Sequence, residues 1–407
     1  MRKLLLILAL SFACKKPEPV KSSITVGATL PLTGAEARIG GFYKEGYELA
    51  FAQQNAKGGL TLAGKKVPVT LVLQDDTSTQ STAVSLADQL INSAKVDALL
   101  GTYSSHLVEA QSAIAEENRI PYVNGGGGAT EIYKRNYKYL FGLMAPVELL
   151  GEALMGWIDD QQAQGKLPKP LKLALVWENT AHGKDFRKGV TGFADQHKGQ
   201  YEVVVDESFE LSAKDFSALL NKVKAAGADV FLADAHLPDY ITMHRQYVTA
   251  GLCHKVISYG ARGSEKQAAD ALGAKNVEYV LSAVWWNRQL GTKGLTKEFV
   301  DAFEAKYKRP PEWYQALAYE TARALFTAIE QAGSVDKEKV REKLASLSGD
   351  SILPEGKLSF PAAQGQQAHY AFVVQQNQPD GSSPIVWPKS VANAPGVAPN
   401  PDCAAAK

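Results

Sequence analysis

Hydrophobic positions recur along this chain in two alternating rhythms. Ile24 to Leu30 is an apolar run closed by Pro31-Leu32-Thr33-Gly34, the pattern of a buried strand ending in a turn. From Tyr43 to Asn55 the spacing is helical, with Tyr43, Tyr47, Ala50 and Phe51 on one side. Val67 to Leu73 alternates as a strand and runs into Gln74-Asp75-Asp76, and from Thr77 an apolar helical stripe follows through Ala83, Ala87, Leu90 and Ile91. The same alternation predicts strands over 98–101, 120–124, 171–177, 201–206, 230–233, 256–259 and 277–286. It predicts helices over 105–117, 149–160, 183–196, 216–226, 240–250, 296–307, 314–331 and 337–347. Beyond Gly356, the segments 357–360 and 368–375 read as β-hairpin material turned by Pro379-Asp380-Gly381-Ser382.

Strands that alternate with helices build parallel sheets covered by helices on both faces. About a dozen strands is unusual for one open twisted sheet. The expected fold is therefore α/β, with two Rossmann-like lobes, parallel-rich sheets and a cleft between them. No internal repeat is visible in the sequence.

Both ends of the chain break this texture. Residues 1–14 carry a basic start, Met1-Arg2-Lys3, an apolar stretch from Leu4 to Phe12, and then Ala13-Cys14. This is the three-part pattern of a secretion signal, and it is too short to span a bilayer. The Cys after a small residue resembles a bacterial lipoprotein signal, which would make Cys14 the lipidated N-terminus. Ser11 stands where that pattern usually has Leu, and an ordinary signal peptide cleaved nearby is the other reading. Residues 15–23 are polar and Pro-containing and read as a tether. The tail, 391–407, is rich in Ala, Pro and Asn and reads as surface coil.

Composition narrows the function. The 407 residues are 45% hydrophobic and 21% charged, ordinary for globular domains. A net charge of +1 argues against nucleic-acid binding, which needs a basic excess. If the signal is removed, one acidic residue is in excess. The three cysteines have no metal-ligand spacing around them, the seven His are scattered, and neither a cofactor nor a metal is expected. In an exported protein Cys253 and Cys403 are most simply one disulfide.

Ligands of open α/β sheets sit beyond the carboxyl ends of strands, where helix N-termini point free N–H groups outward. Two strand ends have suitable chemistry. In Gly101-Thr102-Tyr103-Ser104-Ser105-His106, the hydroxyls either cap a helix or hold a carboxylate beside its N–H groups. In Asn124-Gly125-Gly126-Gly127-Gly128-Ala129-Thr130-Glu131, four glycines permit close backbone approach to a ligand, or simply make a flexible loop. The loop lacks the endings of a phosphate-binding or dinucleotide motif. Catalytic signals are weak: Cys253-His254 are mere sequence neighbours, no Gly-x-Ser-x-Gly occurs, and Asp75-Asp76 suits solvation or capping better than catalysis.

Taken in order, several segments resemble the type I periplasmic solute-binding proteins of ABC importers, in the leucine–isoleucine–valine-binding group. They are Ile24-Thr25-Val26-Gly27, Pro31-Leu32-Thr33-Gly34, Asn55-Ala56-Lys57-Gly58-Gly59-Leu60, Gln74-Asp75-Asp76-Thr77 and Tyr103-Ser104-Ser105. Gly183, Lys214-Asp215-Phe216, Ala318-Tyr319-Glu320-Thr321-Ala322 and Val386-Trp387-Pro388 complete the set. The resemblance implies two lobes joined by three crossovers: 24–146 with 284–350, and 147–283 with 351–390. It implies that Ser105 holds a ligand carboxylate, with Tyr103 and Ser104 beside it and a second anchor at Gly127, Gly128, Ala129 and Thr130. It further places His182, His236, Tyr314 and Ile39 around the ligand. The acid that neutralises an amino-acid ammonium in this group falls near Gly260, where this chain has no acid and Arg262 stands close by. That departure favours a carboxylate lacking an amine, or a bulkier polar ligand. Trp285 and Trp286, near the second crossover, line the pocket or serve core and hinge.

The resemblance implies a non-enzymatic, monomeric binding protein. It would be lipid-anchored in the periplasm or on the outer face of the cell membrane, and would deliver a small carboxylate-bearing solute to an ABC permease. A ligand-sensing receptor module of the same fold, or an exported α/β hydrolase, are the alternatives.

Overall fold

The computed structural model describes residues 21–404, so the signal segment with Cys14 and most of the tether lie outside the described residues. The chain begins as β1 (Ile24–Leu30), α1 (Ala37–Ala56), a small hairpin of β2 (Leu60–Leu62) and β3 (Lys65–Val67), and β4 (Val69–Asp75). Next come α2 (Gln80–Asn92), β5 (Ala98–Leu100), α3 (Ser105–Glu117), β6 (Tyr122–Asn124) and β7 (Leu140–Gly142). These strands form one parallel sheet in the order β4-β1-β5-β6-β7.

The second sheet starts after α4 (Glu148–Ala163), with β8 (Leu171–Glu178), α5 (Ala181–Gln196), β9 (Tyr201–Phe209), α6 (Ser217–Ala226) and β10 (Val230–Asp234). It continues with α7 (Leu237–Thr249), β11 (Val256–Tyr259), α8 (Lys266–Leu272) and β12 (Leu281–Val284). The chain then returns to the first lobe as α9 (Gly294–Tyr307), α10 (Trp313–Ala332), α11 (Lys337–Ala345) and a ladder of β13 (Ser348–Asp350) with β14 (Lys357–Ser359). It ends in β15 (Val373–Gln376), β16 (Ile385–Trp387) and α12 (Pro401–Ala404). The second sheet has the order β16-β15-β12-β11-β10-β8-β9, parallel from β9 to β12 and antiparallel at β15 and β16. Two α/β lobes with parallel-rich sheets are thus present.

Helix α1 shows why the pattern folds as it does. Ile39, Tyr43, Tyr47, Ala50 and Phe51 are buried on one face, each large side chain contributing roughly 1.5–3 kcal/mol. That face meets α10, and at Gly46 a Cβ would stand 2.5 Å from the Gln315 carbonyl oxygen, so the two helices approach this closely only because the residue is Gly. The tyrosines also organise the cleft. Tyr43 donates its hydroxyl to the Gly125 carbonyl, and Tyr47 donates to Gly101 O at 2.7 Å. A core face of α1 therefore fixes both loops that follow β5 and β6.

Several expectations shift. The strand over 277–286 shrinks to Leu281–Val284, because Ala274–Val277 is a 3-10 turn and the two tryptophans leave the sheet. The final lobe change comes later than residue 350. Residues 366–368 bond to β7 of the first lobe, with Gly142 N donating to Gln366 O at 3.0 Å and Ala368 N to Gly142 O at 2.7 Å. The chain therefore crosses between Ala368 and Val373. The tail is bound rather than loose: Asn400 N donates to Lys255 O at 2.8 Å, and Cys403 is bonded to Cys253. Among the described residues no helix is long and apolar enough to cross a membrane.

Candidate functional site

The carboxyl ends of strands from both sheets face one cavity of about 350 Å³. The first lobe presents the turn after β5, where Tyr103, Ser104, Ser105 and His106 lead into α3, together with Glu36 ahead of α1 and Gly126 after β6. The second lobe presents Glu178 at the end of β8, Thr180 and His182 at the start of α5, His236 before α7, and Arg262 after β11. Trp285 and Trp313, whose rings lie 4.8 Å apart, form an aromatic wall with Met144 nearby. Apart from Glu109, one turn into α3, the polar groups of the lining arrive at a strand end or helix start, where the fold leaves unpaired backbone N–H groups.

The two strand-end loops of the first lobe are tied together. Ala129 N donates to Ser105 Oγ at 3.4 Å, and at Gly126 a Cβ would collide with Thr102 O at 2.0 Å, so only Gly lets these loops touch. Asp76 is buried and accepts from Thr29 at 2.9 Å and Thr102 at 2.6 Å. Asp75 accepts from Leu32 N at 2.9 Å and Thr33 Oγ1 at 2.7 Å. The acidic pair therefore ties loops together and does not reach the cavity.

Arg262 is 7% exposed. Its guanidinium donates to Tyr103 and Tyr314 hydroxyls and to Glu265 Oε1 at 3.3 Å. Its Nε–H and one Nη2–H have no protein partner among the described residues, and the side chain lines the cavity. Tyr314 donates to Glu265 at 2.7 Å, and Arg38 closes the network on Glu265 at 2.9 Å. In the second lobe, His182 Nδ1 lies 2.8 Å from Asp234 Oδ2, and His236 Nδ1 lies 2.6 Å from Glu178 Oε2. Burial disfavours charge on both imidazoles, but the adjoining carboxylates outweigh it and raise both, His236 to about 9. Burial pushes Glu178 up less than the two imidazoles pull it down, leaving it below the ordinary carboxylate range. His106 is lowered by burial, helped by the nearby His236 charge.

Ser104 Oγ lies 3.2 Å from His106 Nδ1 in the cavity wall, the closest hydroxyl–imidazole pair the cavity lining offers. The arrangement can grip a small polar solute between two bodies, with donors on both sides. A family model described as "Periplasmic binding protein" matches residues 23–382. The chain belongs to the periplasmic binding protein family.

Members of this family bind solutes rather than transform them. Among relatives of this binding protein, a Leu/Ile/Val-binding protein homolog 8 from Brucella abortus is 27% identical, the match covering 92% of each chain. A leucine binding protein from Thermotoga maritima superposes with a TM-score of 0.77 at 22% identity, covering 93% of this chain and 99% of that one. A solute binding protein from R. palustris in complex with benzoate gives 0.75 at 23% identity, covering 93% and 98%. Those two structures share its fold.

Of the residues expected around a ligand, Tyr103, Ser104, Ser105, His182, His236 and Arg262 line the cavity of this binding protein. The others need correction. Ile39 is turned into the α1 core, and Glu36, three residues earlier, faces the cavity. Gly127 and Gly128 sit behind the wall against Val108 and Met144, and Ala129 is fully buried. Thr130 is engaged by Asp185 of α5, its N donating at 2.7 Å and its hydroxyl at 3.0 Å. Trp286 is buried and donates to Ile352 O at 3.0 Å, while Trp285 takes the lining position and donates to Ala145 O at 2.8 Å. Tyr314 stands behind Arg262. Sequence reading missed Glu36, His106, Glu178, Thr180 and Trp313. Glu178 could have been found, since a carboxylate closing an apolar strand is placed at the ligand end of the sheet.

Proposed function

We propose that this protein captures a small carboxylate-bearing organic solute outside the cytoplasm and delivers it to the permease of an ABC importer. The observation that carries this reading is Arg262, a buried guanidinium that lines the same cavity as Ser105 at the N-terminus of α3 and keeps two N–H groups beyond those given to Glu265, Tyr314 and Tyr103. A carboxylate placed between Arg262 and that helix N-terminus would meet a charge-assisted donor pair on one side and orphan helix N–H groups on the other. Arg262 stands near the place where amino-acid binders of the group carry an acid, so a free ammonium would have to find its partner elsewhere. Benzoate, the ligand in the R. palustris relative, is a carboxylate without an amine, and the wall of Trp285 and Trp313 suits a flat apolar body. In this reading the mature chain is a monomer, held at the membrane by lipid on Cys14.

The test is a thermal-shift panel of aliphatic and aromatic carboxylates, amino acids, amides and polyamines. A solute at about 100 times its dissociation constant adds about 2.7 kcal/mol of stability. Carboxylates should raise the melting temperature, and Ser105→Ala should weaken the binding of whichever does so. A shift given only by amines lacking a carboxylate would overturn the reading.

A further inference from the structure

One corner of the cavity holds a cluster that the anchoring of a carboxylate by Arg262 and Ser105 does not use. Glu178 ends β8, His182 is the second residue of α5 and Asp234 ends β10. His182 Nδ1 lies 2.8 Å from Asp234 Oδ2 and 4.0 Å from Glu178 Oε1, and one donor atom from each residue falls within 4.8 Å of the others. Zinc held at about 2.0–2.2 Å by nitrogen and oxygen in a tetrahedron sets neighbouring donors about 3.3 Å apart. The two histidine distances bracket that value, so small side-chain rotations would bring the donors onto a common ion. Both carboxylates are almost wholly buried, at 1% and 2% exposure; with His182 neutral they present two negative charges to a divalent cation, that of Glu178 shared with His236 at 2.6 Å. The supporting shell is also in place. Thr180 Oγ1 donates to Glu178 Oε1 at 2.7 Å, and His236 Nδ1 to Glu178 Oε2 at 2.6 Å, fixing the carboxylate as outer-shell partners do.

We propose that Glu178, His182 and Asp234 form a site for a divalent transition-metal ion of the zinc kind. The imidazole nitrogen and the small donor number select against calcium and magnesium, which take shells of oxygen. Glu178 and His182 both line the cavity, so the fourth position opens toward it. An oxygen or nitrogen of a captured solute would complete the shell there. That last step rests on the solute-capture reading, whereas metal uptake does not.

The experiment uses the full, untagged chain, stripped with chelator and without any solute. Equilibrium dialysis against zinc should leave one ion per chain. Cobalt(II) should give the visible absorption of a low-coordinate nitrogen–oxygen site. Asp234→Asn and His182→Gln should each lower zinc affinity at least tenfold and abolish the cobalt spectrum, while His254→Gln, remote from the cavity, should change neither. Absence of stoichiometric zinc on the wild-type chain, or a cobalt spectrum that survives both substitutions, would overturn the proposal. Because the wild-type measurements need no variant, a variant that fails to fold does not shield it. Zinc uptake by a chain that no carboxylate stabilises would uphold the metal site and refute carboxylate capture.

Discussion

Replacing Arg262 by Met separates recognition from architecture. Met keeps the apolar stem beside Trp313 and Tyr314, whose ring centroids lie 5.5 and 5.3 Å from the guanidinium carbon, and removes the charge. A hydrogen bond to a charged group contributes about 1.5–3 kcal/mol. Losing the N–H groups at the cavity should therefore weaken carboxylate binding about 10- to 150-fold for each bond they make, and by at least about tenfold in all. The stability cost should be smaller than the approximately 3–5 kcal/mol of an orphaned buried charge. Glu265 keeps Arg38 at 2.9 Å and the Tyr314 hydroxyl at 2.7 Å. Titration calorimetry with the carboxylate that most raises the wild-type melting temperature measures the first quantity, and urea denaturation the second. Arg38→Met is the control, since it removes a partner of the same Glu265 without touching the cavity wall. If Arg262→Met bound that carboxylate within about twofold of wild type, the anion-anchor argument would be wrong. Equal losses for Arg262→Met and Arg38→Met would assign the effect to the network and refute direct contact.

Two further outcomes follow from the geometry. Asp185 of α5 reaches across to Thr130 of the first lobe at 2.7 Å and 3.0 Å, so Asp185→Ala should destabilise the closed arrangement by about 1–2 kcal/mol and weaken solute binding about 5- to 30-fold. Small-angle scattering should show the bound form less compact, and unchanged affinity and radius would refute the latch. His244 and His254, in the core of the second lobe, are held near 4 by burial. Their folded values lie below the unfolded 6.5, so the stability they contribute is complete above that value and is lost progressively as pH falls from there to about 4. Urea denaturation at about pH 7.5 and about pH 4.5 should differ by about 2–3 kcal/mol per histidine, and His254→Gln should remove its share of that difference. An unaltered pH slope in the variant would refute the assignment.

The sequence by itself determined the class of fold and the direction of the site. Hydrophobic periodicity separates strand from helix because each buries a face with its own repeat, and alternation of the two forces parallel sheets. Strand ends then mark where a ligand can sit, which is why Ser105 was legible as a cavity residue; His182 and His236 were legible only through the family resemblance. Tertiary structure alone decided which side of each loop faces inward. Ile39 and Glu36 occupy the same entry to α1, yet Ile39 completes the face that packs on α10 and Glu36 is left for the cavity. Trp285 and Trp286 are adjacent, but on leaving β12 they point to opposite sides, one to the cavity and one to the core. Thr130 carries the hydroxyl that a ligand would use, but Asp185 arrives from the other lobe and takes it. Most plainly, histidines scattered along the sequence converge: the His182 and His236 rings lie 6.4 Å apart, beside Glu178 and Asp234. Parallel strands align their carboxyl ends at one edge, so residues separated by a whole βαβ unit meet there, and no local pattern in the sequence records that meeting.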